Sequence, residues 1–230
     1  MESTQEMLTV FLRDSGIKEI HLNLQHTWKD PLLFRSKIKS LSYQHERSNK
    51  DWSHNRDKEQ SRLRTLLGLE KLDHHKLFDE ISSRYCHKKP LPCNQQTGEC
   101  MTESDYKKVQ EIEAHLNFEK HRYEDASILH SGKLLEEILP NLRDQTKKMH
   151  VYSGHDTTLS ALAGYFRIKD FGWPSYASNM ILEIWKTGKT RTLRVVYNGR
   201  VSAYMPLDDF VEQAEMDIIR AKEANERKKW

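Results

Sequence analysis

A chain of 230 residues that is 37% hydrophobic and 31% charged holds enough apolar material for one large domain, or for a core with an inserted subdomain, but the core is lean. Its 37 basic residues are nearly balanced by 34 acidic ones, a net charge of +3, which describes salt-bridged solvated faces and argues against nucleic-acid binding, since no groove-reading motif accompanies the charges. No apolar run approaches the ~18 residues of a membrane span, and "MESTQEMLTVFLRDSG" lacks the basic start and long apolar stretch of a signal peptide, so the chain as it stands is expected to stay in the cytosol.

The first 20 residues hold an amphipathic turn or two, with Met7, Leu8, Phe11 and Leu12 on one side. Residues 48–62, "SNKDWSHNRDKEQSR", are polar and charged and predict an exposed loop or a weak helix start. In "DHHKLFDEISSRY" Leu77, Phe78, Ile81 and Tyr85 recur at helical spacing behind Asp73, which is placed to cap them. His74 and His75 fall in the first turn of that helix and read as solvated. Cys86, Cys93 and Cys100 lie close together in "YCHKKPLPCNQQTGEC". With His87 they offer three sulfurs and an imidazole for zinc, but the paired C-x2-C spacing is missing. The turn chemistry of "KPLPCNQQTG" predicts instead a loop stapled by one disulfide, with one thiol left over and no metal bound. Thr102 and Asp105 have capping-box spacing ahead of a stripe through Val109, Ile112 and Leu116.

The pattern changes in the second half. "ASILHSGKLLEEILPNLRDQ" is a helix through Leu129, Leu134, Leu135, Ile138 and Leu139 that Pro140 kinks or ends. "KMHVYSG" predicts a short strand over 149–153, and "TTLSALAGYF" a helix rich in small residues. "NMILEIWKTGKTRTLRVVYNG" is a hairpin about Gly188, with a second turn at Asn198-Gly199. "DDFVEQAEMDIIRAKEANERKK" closes the chain as a helix with Asp208 as N-cap and a frayed, solvated end.

The chemistry-bearing stretch is "VYSGHDTTLSAL". With a strand ending at Ser153, Gly154 turns the backbone, and His155 and Asp156 stand at the strand's carboxyl end, where open α/β sheets bind ligands. The free N–H groups of the following helix favour an anion. A histidine there can hydrogen-bond a phosphoryl oxygen, and an aspartate repelled by that anion can keep a proton for a departing alkoxide. The bland reading is that Asp156, Thr157 or Thr158 only caps the helix.

This stretch closely resembles the second signature of the histidine acid phosphatases. "WPSYASNMILEIW" resembles the segment that follows the family's catalytic helix, "HSGKLLEEI" the helix before the signature, and "VVYNG" the final core strand. The resemblance is continuous from roughly Leu129 to Val211 and looser before it, "CHKKPLPC" included. It implies an α/β fold: a partial histidine phosphatase core with an incomplete mixed sheet flanked by helices, under a mainly helical cap. The implied organisation is a remnant of a core helix and its connection at 1–26, the cap at 27–125, core at 126–215 and a charged tail at 216–230.

The resemblance also implies a phosphomonoester hydrolase that needs no cofactor. His155 is then a phosphate ligand, Asp156 the proton donor and Thr157 a weaker substrate contact. Attack in the family comes from a histidine in an Arg-His-Gly-x-Arg-x-Pro motif, whose arginines clamp the phosphate with a third. No Arg-His-Gly occurs in these 230 residues. Three expectations follow: a fragment that is inactive alone, or a non-catalytic relative that keeps an anion pocket; an unpaired apolar edge on the 149–153 strand; and instability, aggregation or homodimerisation through that edge. Ser153 as a substitute nucleophile lacks the Gly-x-Ser-x-Gly elbow. The family is secretory, and its partners here would be a phosphomonoester or inorganic phosphate.

Overall fold

The computed structural model describes residues 9–10, 13, 50–144, 146, 149–169 and 171–226. The stripe of Met7, Leu8, Phe11 and Leu12 lies outside them. Among the described residues six helices and three strands follow one another as α1 Lys50–Leu67, α2 His74–Cys86, α3 Glu103–His121, α4 Glu124–Arg143, α5 Asp156–Tyr165, β1 Met180–Thr187, β2 Thr190–Tyr197, β3 Arg200–Pro206 and α6 Leu207–Glu226. This α/β architecture with helical parts is consistent with the partial α/β fold that the resemblance implied, although the sheet among the described residues is antiparallel and not mixed.

Helices α1 to α3 gather around Leu63, Leu77, Phe78, Ile81, Tyr106 and Val109. Their ends are fixed by the expected caps. Asp73 accepts from the backbone N–H of Lys76 at 3.0 Å, and Thr102 and Asp105 form a reciprocal box. Between α2 and α3, Cys93 and Cys100 are joined in a disulfide and Cys86 is a free, exposed thiol. Two of the three sulfurs are thus unavailable to a metal, and the stapled-loop reading holds. Of the polar stretch 48–62, residues 50–62 belong to helix α1, the second of the two alternatives expected for it, and 48–49 lie outside the described residues. A single apolar position per turn, Leu63 after the fully enclosed Glu59, is enough because Glu59 is neutralised there by Arg62 at 2.5 Å and Lys108 at 2.8 Å.

Helices α4, α5 and α6 pack with the sheet around a second core that includes Leu135, Leu139, Ala163, Leu193, Val195, Leu207 and Ala214. Each such Leu contributes ~1.5–3 kcal/mol by leaving water. Pro140 neither ends nor breaks α4, which continues to Arg143, because a proline in the last turn forfeits a single intrahelical bond. The three strands form an antiparallel meander in the order β1-β2-β3. Its turns are those the sequence signals: Gly188 has φ 61°, and Asn198 and Gly199 have φ 48° and 77°.

Three further local expectations are corrected. Residues 149–155 are not a strand: no β-ladder among the described residues includes them, and Met149, Val151 and Tyr152 stand 42–55% exposed. A strand without a neighbour has no ladder to stabilise it. Asp208 does not cap α6, because β3 runs through Pro206 directly into a helix that begins at Leu207; Asp208 instead accepts from Arg191 at 2.7 Å. The presumed frayed end stays helical to Glu226, anchored by Ala221, which is wholly buried. No helix among the described residues is long and apolar enough to cross a membrane.

Candidate functional site

His155 is the extended residue before α5, with φ −102° and ψ 168°, and its carbonyl accepts the first helical N–H groups, from Thr158 at 3.0 Å and Leu159 at 3.2 Å. The Thr158 hydroxyl accepts the His155 backbone N–H at 3.2 Å. Thr158 and His155 thus form the capping box of α5 between them, and the Asp156 carboxylate is not part of it. His155 is exposed; Asp156 and Thr157 are half-buried. The Asp156 carboxylate accepts the Thr157 backbone N–H at 2.6 Å, which orients it at the mouth of the helix. Gly154 does not use the left-handed region; its role is spatial, because the Thr158 side chain lies 3.2 Å from where a Cβ would be.

Behind this mouth a polar relay ties the site to the rest of the molecule. Ser160 donates to the Asp156 carbonyl at 2.9 Å. Asn117 on α3 donates to Ser160 Oγ at 2.9 Å and to the Gly172 carbonyl at 2.6 Å. One turn on, Gly164 sits against His121: an added Cβ would stand 2.1 Å from the His121 carbonyl oxygen. Asn117 against Ser160 and His121 against Gly164 advance four residues on both helices, so α3 and α5 run side by side in the same direction. Glu113 then comes level with Asp156.

That face of α3 carries titratable groups which the sequence reading left as solvated or did not single out. His74 is buried, not solvated, and its Nδ1 lies 2.5 Å from Glu113. His75 is exposed and meets the other Glu113 oxygen at 3.4 Å. Burial pushes the Glu113 carboxyl up, but the two imidazoles outweigh it and hold it at about 2. The hydrogen bond to Glu113 raises His75 despite partial burial, and the charges of Asp79, Glu113 and Asp156 add to the rise. Asp79 is raised by burial and by repulsion from Asp156, Glu113 and Asp73. Asp156 thus lies within electrostatic reach of α2, and also of Tyr176 and Lys120. The signal for His74 and Glu113 was not local, since the partners are separated by 39 residues.

Next to this region His121 and His130 face each other, Nδ1 to Nδ1 at 3.0 Å, both buried. Burial and the nearby Lys120 charge hold His130 down at about 3 and His121 far below its ordinary value, so both rings are neutral. His121 Nε2 has no hydrogen-bond partner among the described residues. The least costly tautomer has His121 Nδ1–H donating to His130, because a bare buried acceptor is cheaper than a bare buried N–H.

No family model matches the chain. Among curated proteins it is similar to rat prostatic acid phosphatase, 28% identical over 146 residues, which are 60% of this chain and 38% of that protein. It is similar to human 2-phosphoxylose phosphatase 1, 25% identical over 133 residues, 53% of this chain and 27% of the relative. Counting factor 60 of Dictyostelium discoideum is 27% identical over 151 residues, 60% of this chain and 35% of the relative. The chain spans well under half the length of the curated relatives it matches.

Proposed function

Family-level kinship with the histidine acid phosphatases, carried by these matches, is the premise from which we propose that the chain supplies the proton-donor half of a phosphomonoester-hydrolysing site. The observation that supports the reading is the mouth of α5, where the His155–Thr158 capping box leaves the Asp156 carboxylate out of the cap and beside an exposed His155. His155 binds a phosphoryl oxygen, with Thr157 as a further contact. Asp156, oriented by the Thr157 N–H, gives its proton to the alkoxide as the ester P–O bond breaks and a P–N bond forms to an attacking imidazole. Its carboxylate then takes a proton from the water that hydrolyses the phosphohistidine. Segment 27–125 serves as the cap over this mouth, 126–215 as its core, and 1–26 and 216–230 flank them.

The attacking imidazole belongs to the Arg-His-Gly motif of the family, and that tripeptide is not in the 230 residues. On this reading the chain by itself binds phosphate and does not turn over ester. The same absence favours the second reading, a phosphate-binding relative without catalysis. Two copies associate through the exposed apolar stretch at Met149, Val151 and Tyr152.

The test is direct. At about pH 5 the purified chain is expected to hydrolyse p-nitrophenyl phosphate no faster than buffer. Phosphorus NMR is expected to show inorganic phosphate exchanging on the protein, an effect lost in His155→Ala and kept in Asp156→Asn. Robust turnover abolished by Asp156→Ala would sink the claim of a half-site. Phosphate exchange indifferent to His155→Ala would sink the assignment of the ligand.

A further inference from the structure

We propose that Lys120 is a phosphate-positioning residue of this site, reaching it from the last turn of α3. The inference rests on the reading of His155 and Asp156 above, and it adds a cation that the family resemblance does not assign.

The starting observation is an ion without a counter-ion. Lys107 and Lys108, on the same helix, are each paired, with Glu103 at 2.7 Å and Glu59 at 2.8 Å. Lys120 is half-buried and, among the described residues, its ammonium has neither a hydrogen bond nor an ion pair. Burial works against its charge, and Asp156 is the one group whose charge favours it. Its other charged or titratable neighbours are His121 on its own helix and His130 on α4, both of which its positive charge helps to keep neutral. Neither ring can therefore balance it. A desolvated cation held in this way is costly unless an anion joins it.

Geometry says where that anion goes. α3 and α5 run side by side in the same direction, tied at Asn117–Ser160 and His121–Gly164. Long helical side chains lean toward their own N-terminus. Lys120 thus leans from the level of Gly164 back toward the Asp156 end of α5, the end where His155 is exposed. An oxyanion placed there would meet an ammonium from one helix and an imidazole from the start of the other. Fixed neighbours hold the base of the lysine: Asn117 is locked by two hydrogen bonds, and His121 by its contact with Gly164 and its bond to His130.

The experiment compares inorganic phosphate binding by the whole chain with that of Lys120→Met, Lys120→Arg and the control Lys108→Met, by phosphorus NMR and by the phosphate-induced rise in melting temperature. Lys120→Met is expected to weaken phosphate about ten-fold, the loss of one charge-assisted contact. Lys120→Arg restores most of the affinity, and Lys108→Met leaves it unchanged. Without phosphate, Lys120→Met is expected to melt no lower than the parent, since an uncompensated charge has been removed; a merely structural lysine would show a lower melt and an unaltered phosphate-induced rise. In the unmutated chain carrying carbon-labelled methyl groups on its lysines, the Lys120 titration midpoint is expected to move upward when phosphate is added. A Lys120→Met protein that binds phosphate like the parent, or a midpoint that phosphate does not move while His155→Ala still abolishes binding, overturns this inference alone. Phosphate that binds regardless of His155→Ala, or not at all, overturns the underlying reading together with it.

Discussion

The β1–β2–β3 meander and the 149–155 segment both read as strands in the sequence, and they end in opposite states. Leu193 and Val195 on β2 are wholly buried; Met149, Val151 and Tyr152 stand in water. The meander finds each of its partners within a few residues, across turns whose positive φ values are supplied by Gly188, Asn198 and Gly199. The 149–155 segment has apolar residues and no neighbouring strand among the described residues. Strand formation is a property of pairs. A sequence can announce that a stretch suits a sheet, but only a partner makes it one.

The largest test of this contrast lies on its buried side. Leu135→Ala or Leu193→Ala empties a site with no exposure and is expected to cost ~2–5 kcal/mol in urea denaturation. Gly164→Ala comes next. Its Cβ would meet the His121 carbonyl oxygen at 2.1 Å, so α3 and α5 must part, at about 1–3 kcal/mol, with weaker phosphate exchange at His155 as a second readout.

Acid is a gentler probe of the same junction. His130 is held at about 3, below its ordinary 6.5, so the unfolded chain binds the extra proton first. Its contribution is whole above pH 6.5 and is lost progressively as pH falls toward about 3, with His121 acting in the same direction. Glu113, held at about 2 against 4.5, adds its own loss only below about 4.5. His75 opposes both, because its raised value stabilises the fold on protonation. The urea midpoint is expected to fall between pH 7 and pH 5, and less steeply in His130→Gln; a flat profile would remove the buried pair from the account.

The smallest change is expected on the open side. Val151→Ser and Met149→Ser are expected to shift stability by within ~0.5 kcal/mol while reducing self-association in analytical ultracentrifugation. A cost as large as that of Leu135→Ala would mean that the stretch is packed in solution.

What could be read in advance follows the same division. Asp73, the Thr102–Asp105 box, Gly188 and Asn198-Gly199 act over a few residues, and each is where its spacing placed it. That one disulfide staples this loop was legible for the same reason, as a run of turn formers; that Cys93 and Cys100 are the pair was not. Helix α1 was obscured because its buried positions include a carboxylate, Glu59, whose partner Lys108 is on another helix. The burial of His74 depended on Glu113, far along the chain. At the site, residue types, the helix start and Thr158 as a candidate cap were legible in "GHDTT"; the arrival of Asn117, Glu113 and Lys120 from α3 was not, since nothing local encodes which helix lies alongside α5.

Asn117 has a mechanical consequence. Its amide nitrogen grips Ser160 and the Gly172 carbonyl together, and Ser160 in turn holds the Asp156 carbonyl. Anything bulky enough to pry α3 away from α5 therefore pulls on the peptide that carries Asp156, so the helix pair and the start of α5 swing on one hinge pin.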